Sequence, residues 1–300
     1  MICKKYKMRF TAPCFCSGAS DAHAELRASS VRGQLRWWFR TLGGTRASEK
    51  KVFGGVAQKS GDDNVKSGVV VRTRLIKESS DWSLPQFGPN APESYVFYYA
   101  KVSGIDPNAT KEEKDRGGPR WRNHAYFAPG TTWELQIIYR DERLLEDVAF
   151  QNALKCFLAL GGIGLRVTRG LGAFECDSIV YGEEVKKILQ SASFSVEERV
   201  VHEDCRQYAE IGNLIKGTRE RTGWKINEEE EVLSPMGSSK TRQTSAVYFR
   251  VVKCAEQLKL VIFEAPHDRV LGEASRKDSI VGKVPSVIGP SVPRQRSERR

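Results

Sequence analysis

The stretch Gly161-Gly162-Ile163-Gly164-Leu165-Arg166-Val167-Thr168-Arg169-Gly170-Leu171-Gly172 joins a run of helical periodicity over 143–160 to a strand-like run over 173–181. It is not a P-loop, because no Gly-Lys-Ser/Thr follows. Nor is it a dinucleotide fingerprint, since the glycine spacing is wrong and the loop leaves a helix instead of opening one. Its five glycines, Gly161, Gly162, Gly164, Gly170 and Gly172, predict main-chain N–H groups open to a phosphodiester chain, with Arg166 and Arg169 placed to pair with phosphates. The alternative is a tight helix-to-strand connection with incidental charge. Five glycines exceed what such a connection needs, which favours binding.

Upstream of this loop the periodicities read as a strand over 2–11, a helix over 31–42, strands over 69–76, 95–102 and 131–140, and a helix over 143–160. With the strand after the loop, the order is that of an α+β, ferredoxin-like (RRM-like, βαββαβ) unit with long loop insertions. Downstream, helical runs over 183–191 and 195–215, an acidic run over 228–231 and strands over 246–254 and 258–264 read as a second, degenerate unit of the same kind. The predicted organisation is therefore an RNA-binding unit at 1–182, a degenerate unit at 183–280, and a flexible basic tail at 281–300.

The helix over 31–42 carries the densest chemistry. Ser29 or Ser30 is the expected N-cap, and Gly43-Gly44 closes the other end. Val31, Leu35, Trp38 and Leu42 share one stripe, while Arg32, Arg36 and Arg40 form a second. Gly33 costs about 1 kcal/mol relative to Ala inside a helix. That cost is easier to explain if something approaches the backbone there. In the first strand Tyr6, Met8 and Phe10 alternate with Lys5, Lys7 and Arg9, which predicts a basic outer face, and Arg72 and Arg74 share one face of the strand over 69–76.

Net charge is +11, from 48 Lys+Arg against 37 Asp+Glu. Residues 1–60 hold twelve of the cations against three carboxylates, and residues 281–300 hold five against one. Such concentration points to a polyanion, most often nucleic acid; the plain alternative is a solvated basic surface. No amphipathic Lys-rich helix accompanies the charge, which argues against a membrane partner. The first residues lead into no apolar signal region and no run is long enough to span a bilayer, so the expectation is a soluble, cytoplasmic protein.

Seven cysteines without an export signal are expected to be reduced. No Cys-x2-Cys pair exists, so no metal or other cofactor is expected, and Cys14 and Cys16 read as a buried packing feature. Of four histidines, His23 alone sits beside a dense motif, where it is a candidate general base; the plainer reading is a polar, hydrogen-bonding surface residue. Asp21 and Glu25 precede the arginine helix, but no second acidic cluster converges on them, and Glu25 is as well placed to neutralise Arg27 or Arg32. No catalytic residue is assigned.

Four segments together resemble the RAMP superfamily of CRISPR proteins, and within it the subunit-one family of type III-B (Cmr) effector complexes. The opening strand ends in Thr11-Ala12-Pro13-Cys14-Phe15 with Gly18-Ala19; the second segment is Glu25-Leu26-Arg27-Ala28-Ser29-Ser30-Val31-Arg32-Gly33-Gln34-Leu35-Arg36-Trp37-Trp38-Phe39-Arg40. The glycine loop is the third, and Arg242-Gln243-Thr244-Ser245-Ala246 the fourth, with Ala246 where the family pattern usually has Pro. Ser17 likewise stands where a second glycine is common.

The resemblance implies a non-catalytic RNA-binding subunit of an antiviral ribonucleoprotein. It would contact the 3′ part of the CRISPR guide RNA, the target RNA, or both, and assemble with the other Cmr subunits. The implied RNA-binding residues are Arg27, Arg32, Arg36, Trp37, Arg40 and Arg46, with the glycines and arginines of the loop. Trp37 or Trp121 would stack on bases, or Trp37 would be covered by a neighbouring subunit. The competing expectation is a stand-alone RAMP endoribonuclease that processes precursor CRISPR RNA with His23 as base. A third is a protein-interaction module whose basic region meets acidic partners.

Overall fold

A computed structural model describes residues 1–19, 23–56, 64–83, 91–97, 111, 125–201, 207–222, 236–237, 244–254 and 257–271, with only the backbone at 207, 218–222 and 271. Asp21, Trp121, His124, His202, Cys205, most of the 103–130 excursion, the acidic run at 228–231, Arg242-Gln243 and the tail at 281–300 lie outside the described residues.

The first half comprises β1 (Ile2–Phe10), α1 (Ala28–Thr41), α2 (Arg46–Phe53), β2 (Val69–Lys77), α3 (Pro92–Val96), β3 (Thr132–Tyr139), α4 (Val148–Leu160) and β4 (Phe174–Cys176). Its sheet runs β2-β3-β1-β4, and every neighbouring pair is antiparallel. Strict alternation in β1 and β3 buries Met8, Phe10, Trp133, Leu135, Ile137 and Tyr139 on one face, which α1 and α4 cover. α4 is apolar on nearly all sides, as a helix wedged between sheet and helices must be, and Asp147 caps it by accepting from Phe150 N–H at 2.8 Å.

The second half comprises α5 (Glu183–Ser191), β5 (Ser195–Val201), α6 (Gln207–Thr222), β6 (Val247–Cys254), β7 (Gln257–Glu264) and α7 (His267–Leu271), with the sheet in the order β5-β7-β6. Apolar packing crosses position 182. Trp38 of α1 packs against Phe194 and Phe263 at ring distances of 6.0 and 5.4 Å, and Phe15 and Leu171 share a cluster with Ile211 and Phe249. The two halves thus share a core.

Several sequence expectations change. α1 starts at Ala28, so Ser29 and Ser30 lie inside its first turn and Arg27 occupies the N-cap without a side-chain cap bond. Residues 46–53, within a stretch that reads as polar loop, form α2, which Thr45 caps by accepting from Ser48 N–H. Tyr95 and Val96 end the short helix α3, started by Pro92, instead of opening a strand; positions 98–102 of that expected strand lie outside the described residues. The helix expected over 143–160 is divided into a 3-10 turn at Glu142–Leu145 and α4, because Asp147 caps a new start. Residues 195–201 are strand, not helix, because Ser193 turns at φ +65 and delivers β5 to an in-register pairing with β7. The strand expected over 173–181 shortens to three residues.

Candidate nucleic-acid interface

After Gly43-Gly44 reverses the chain, α2 returns beside the arginine stripe of α1 and contributes Glu49, which is 5% exposed. Arg36 donates to Glu49 Oε1 through Nε and Nη2, each at 2.6 Å. Arg40 donates through Nε to Oε2 at 2.6 Å and through Nη2 to Oε1 at 2.7 Å. Burial by itself raises the Glu49 pKa, but the hydrogen bonds from Arg40 and Arg36 outweigh it and hold the carboxyl below its ordinary value. Arg32 is oriented separately, donating through Nη2 to the carbonyl of Phe53 at the end of α2.

One carboxylate against two guanidinium groups leaves net positive charge on a partly exposed face. Arg32, Arg36, Arg40, Arg46 and Lys50 line a groove of about 820 Å³, floored by Glu49 and Phe53. Gly33 lies on the same side of α1, exposed, and a Cβ built there meets nothing within 4 Å. The groove therefore presents oriented guanidinium donors beside an unobstructed helix backbone, an arrangement suited to a phosphodiester chain. Arg27 is exposed at the N-cap of the same helix.

Trp37 is half-buried. Its ring packs within its own chain, 5.1 Å from Trp38 and 4.7 Å from Tyr248 of β6, so α1 is docked on the second sheet through it.

The glycine loop also departs from expectation. Gly161, Gly162, Gly170 and Gly172 are buried, and the loop's N–H groups meet the chain's own carbonyls: Ile163 to Gly172 at 3.1 Å, Leu165 to Phe15 at 2.9 Å and Gly172 to Pro13 at 2.9 Å. Gly172 adopts φ +63, and a Cβ on it would collide with the Ile163 carbonyl; Gly164, at φ +92, lies against the Phe15 carbonyl. These glycines let three backbone segments pass at contact distance, which is their physical reason. Arg169 is 3% exposed and donates to Met236 O at 2.6 Å and to Ser245 Oγ at 3.3 Å. Arg166 donates to Val96 O at 3.1 Å and to Tyr95 O, with its guanidinium over the Tyr95 ring. Burial thus removes Arg169 and four of the five glycines from contact with a phosphate. Gly164 and Arg166, at the loop's tip, retain exposure.

Two side chains that shape the groove and the glycine loop escape a reading by sequence pattern. Glu49 is hidden because its helix reads as loop. Arg250, 2% exposed in the apolar run of β6, donates to the carbonyls of Leu160 at 2.9 Å, Gly161 at 3.2 Å, Phe249 at 2.9 Å and Val167, tying the second sheet to the glycine loop. Burial lowers its pKa to about 10. The visible signal is a cation in the middle of the apolar run Val247–Val252.

Cys14 and Cys16 are both buried, and Cys14 Sγ donates to the Ile163 carbonyl at 3.5 Å. His23 is exposed, and the Glu25 carboxylate lies over Gly18, where a Cβ would collide with it. Among the described residues no group of three or more His, Cys, Asp or Glu side chains is arranged to hold a metal ion, and no helix is long and apolar enough to cross a membrane.

Fold and groove together define a mixed α+β protein of two antiparallel sheets with a basic helical groove on the first. The chain belongs to the RAMP superfamily, whose family model matches residues 7–175, more than half of its length. It is 26% identical over 185 residues to CRISPR system Cmr subunit Cmr1-2 of Pyrococcus furiosus, covering 57% of this chain and 92% of the relative. It is 22% identical over 210 residues to Cmr1-1 of the same organism, covering 67% of this chain and 52% of that one, so it spans about half the length of the second relative. The crystal structure of apo Cmr1 from Pyrococcus furiosus superposes with a TM-score of 0.53 at 16% identity over 88% of each chain, a likeness of fold.

Proposed function

We propose that this chain is a non-catalytic, RNA-binding subunit of a type III-B CRISPR effector ribonucleoprotein. It holds the guide RNA, the target RNA or both by the phosphodiester backbone and works alongside the other subunits of that complex in the cytoplasm. The observation that carries this reading is the groove in which Glu49 orients Arg36 and Arg40 beside exposed Gly33. Similarity to Cmr1 subunits supports the assembly. Arg27, Arg32 and Arg46 extend the basic track, with Arg166 at the tip of the glycine loop. Backbone recognition fits a guide-dependent complex, because base pairing then carries the sequence information.

The β-α-β-β-α-β order of the main elements and the strand order 2-3-1-4 support a ferredoxin-like unit at 1–182, with α2 and α3 as insertions. The three-stranded second sheet supports a degenerate counterpart at 183–280.

The test is RNA retention by Arg36→Glu/Arg40→Glu in the full chain, alone and with the partner subunits. Wild-type affinity for single-stranded RNA should fall with log salt at a slope of about −3 to −4, as for ~4–6 phosphates. The variant should fold and lose RNA. RNA held equally well by the variant overturns the reading, as does cleavage of labelled repeat RNA that is abolished by His23→Ala.

A further inference from the structure

The open face of the first sheet, opposite the helices, carries charge that the α1–α2 groove does not use. Registered neighbours share a face, so the pairings align Lys5–Gln136–Arg72, then Lys7–Glu134–Arg74, then Arg9–Thr132–Lys77 across β1, β3 and β2. All six cations are exposed. They form two rails, one on β1 and one on β2. Charges within a rail are about 7 Å apart along a strand, and the rails are about 10 Å apart across β3.

Three carboxylates offset part of this charge: Glu134 lies 3.7 Å from Arg74, Asp177 lies 3.5 Å from Lys7, and Glu175 pairs with Arg9. The Lys7–Asp177 pair is exposed on both sides and weak, whereas Glu134 and Glu175 are the more covered partners of cations that stay in solvent. Lys5 also acts on Glu134 across the sheet, and among the described residues Arg72 and Lys77 form no ion pair; six cations against three carboxylates leave the face a net charge of about +3. None of the residues in the three rows is aromatic, so the face has no platform on which to stack bases.

We infer that this face is a second phosphodiester-binding surface, which takes the backbone of single-stranded RNA without reading its sequence. Repeating cations along two strands match a repeating anion, and Arg72 and Arg74 are able to grip phosphate oxygens in bidentate fashion. Because α1 lies on the other side of the sheet, the RNA held here is a different stretch from that in the groove. The inference rests on the reading that the chain binds RNA, and it adds a second track to it.

The experiment uses the full chain carrying Lys5→Gln/Arg72→Gln, with fluorescently labelled oligouridylate as probe. Binding is followed by anisotropy across a salt series, and thermal unfolding serves as the fold control. The variant should melt like wild type, bind about tenfold more weakly at low salt, and show a salt slope shallower by about 1.4, since each lost phosphate contact removes ~0.7. An unchanged slope and affinity in this variant, beside loss of RNA by Arg36→Glu/Arg40→Glu, overturns the second surface and leaves the proposed function intact. Failure of wild type to bind RNA in any assembly overturns both. Unchanged RNA affinity with loss of a partner subunit from the complex assigns the face to an acidic protein and overturns the inference.

Discussion

Arg40 of α1 and Glu49 of α2 form a two-point ion pair, Nε to Oε2 at 2.6 Å and Nη2 to Oε1 at 2.7 Å, and Arg36 donates to the same carboxylate. A buried acid thus braces two cations from beneath while part of each guanidinium stays in solvent. Such bracing reduces the side-chain entropy lost when a polyanion docks.

Replacing that acid separates charge from orientation. Glu49→Gln is expected to cost about 1–3 kcal/mol of stability, because charge-assisted hydrogen bonds are lost and an amide N–H₂ meets guanidinium donors. The groove gains a unit of positive charge in the variant, yet RNA affinity is expected to fall as Arg36 and Arg40 lose their fixed geometry. Urea unfolding and RNA titration measure the two effects. Tighter binding by the variant would show that charge alone governs the groove.

Acid sensitivity is expected to centre on Glu198. Burial raises its pKa, but hydrogen bonds from Lys186, Tyr181 and Lys259 prevail and bring it to about 2 from an ordinary 4.5. A carboxyl whose folded-state pKa is depressed stabilises the fold fully above pH 4.5, and that contribution is lost as pH falls toward 2. Glu198→Gln should therefore be less stable than wild type at pH 7 and lose less stability between pH 4.5 and 2. Parallel urea midpoints for the two proteins over that interval would contradict the assignment.

Two glycines are expected to respond in opposite ways to alanine. Gly172→Ala places a Cβ against the Ile163 carbonyl at φ +63 and should destabilise by several kcal/mol or prevent folding. Gly33→Ala meets open space inside a helix and should stabilise by about 1 kcal/mol. The same variant should weaken RNA binding if a phosphodiester approaches the α1 backbone at that point. A more stable Gly33→Ala protein with unaltered RNA affinity would show that nothing docks there.

Arg250→Met tests the tie between the second sheet and the glycine loop. Removing the guanidinium leaves the carbonyls of Leu160, Gly161 and Phe249 without this buried donor, while Val167 keeps the Gly170 N–H at 3.4 Å. Unpartnered buried acceptors cost about 1–3 kcal/mol each, so a loss of at least ~3 kcal/mol is expected in chemical unfolding. A loss below about 1 kcal/mol would mean that the tie contributes little.

Patterning alone makes much of this protein legible. Alternation locates β1, β3, β6 and β7, the 3.6-residue period locates α1 and the body of α4, and local charge density marks the arginine stripe. These are short-range signals, set by which side of a strand or helix must leave water. β5 escapes because its identity comes from β7, distant in sequence, and α2 because a short polar helix shows little apolar periodicity of its own and is held by the α1 arginines. Charge density equally fails to tell Arg36 from Arg169, although one lines a groove and the other lies inside the fold.

The glycine loop shows where the division falls. The sequence by itself determines that 161–172 must be a tight, main-chain-rich connection, since glycine permits conformations and approaches that other residues resist. It also determines a concentrated basic surface and membership of the RAMP superfamily. Only the tertiary structure decides what comes close to those glycines. They meet the chain's own carbonyls and the buried Arg250, while the open backbone at Gly33 lies on a helix. The physical reason is that a missing Cβ records a close approach without recording by what. That depends on which long-range contacts bury the surrounding surface.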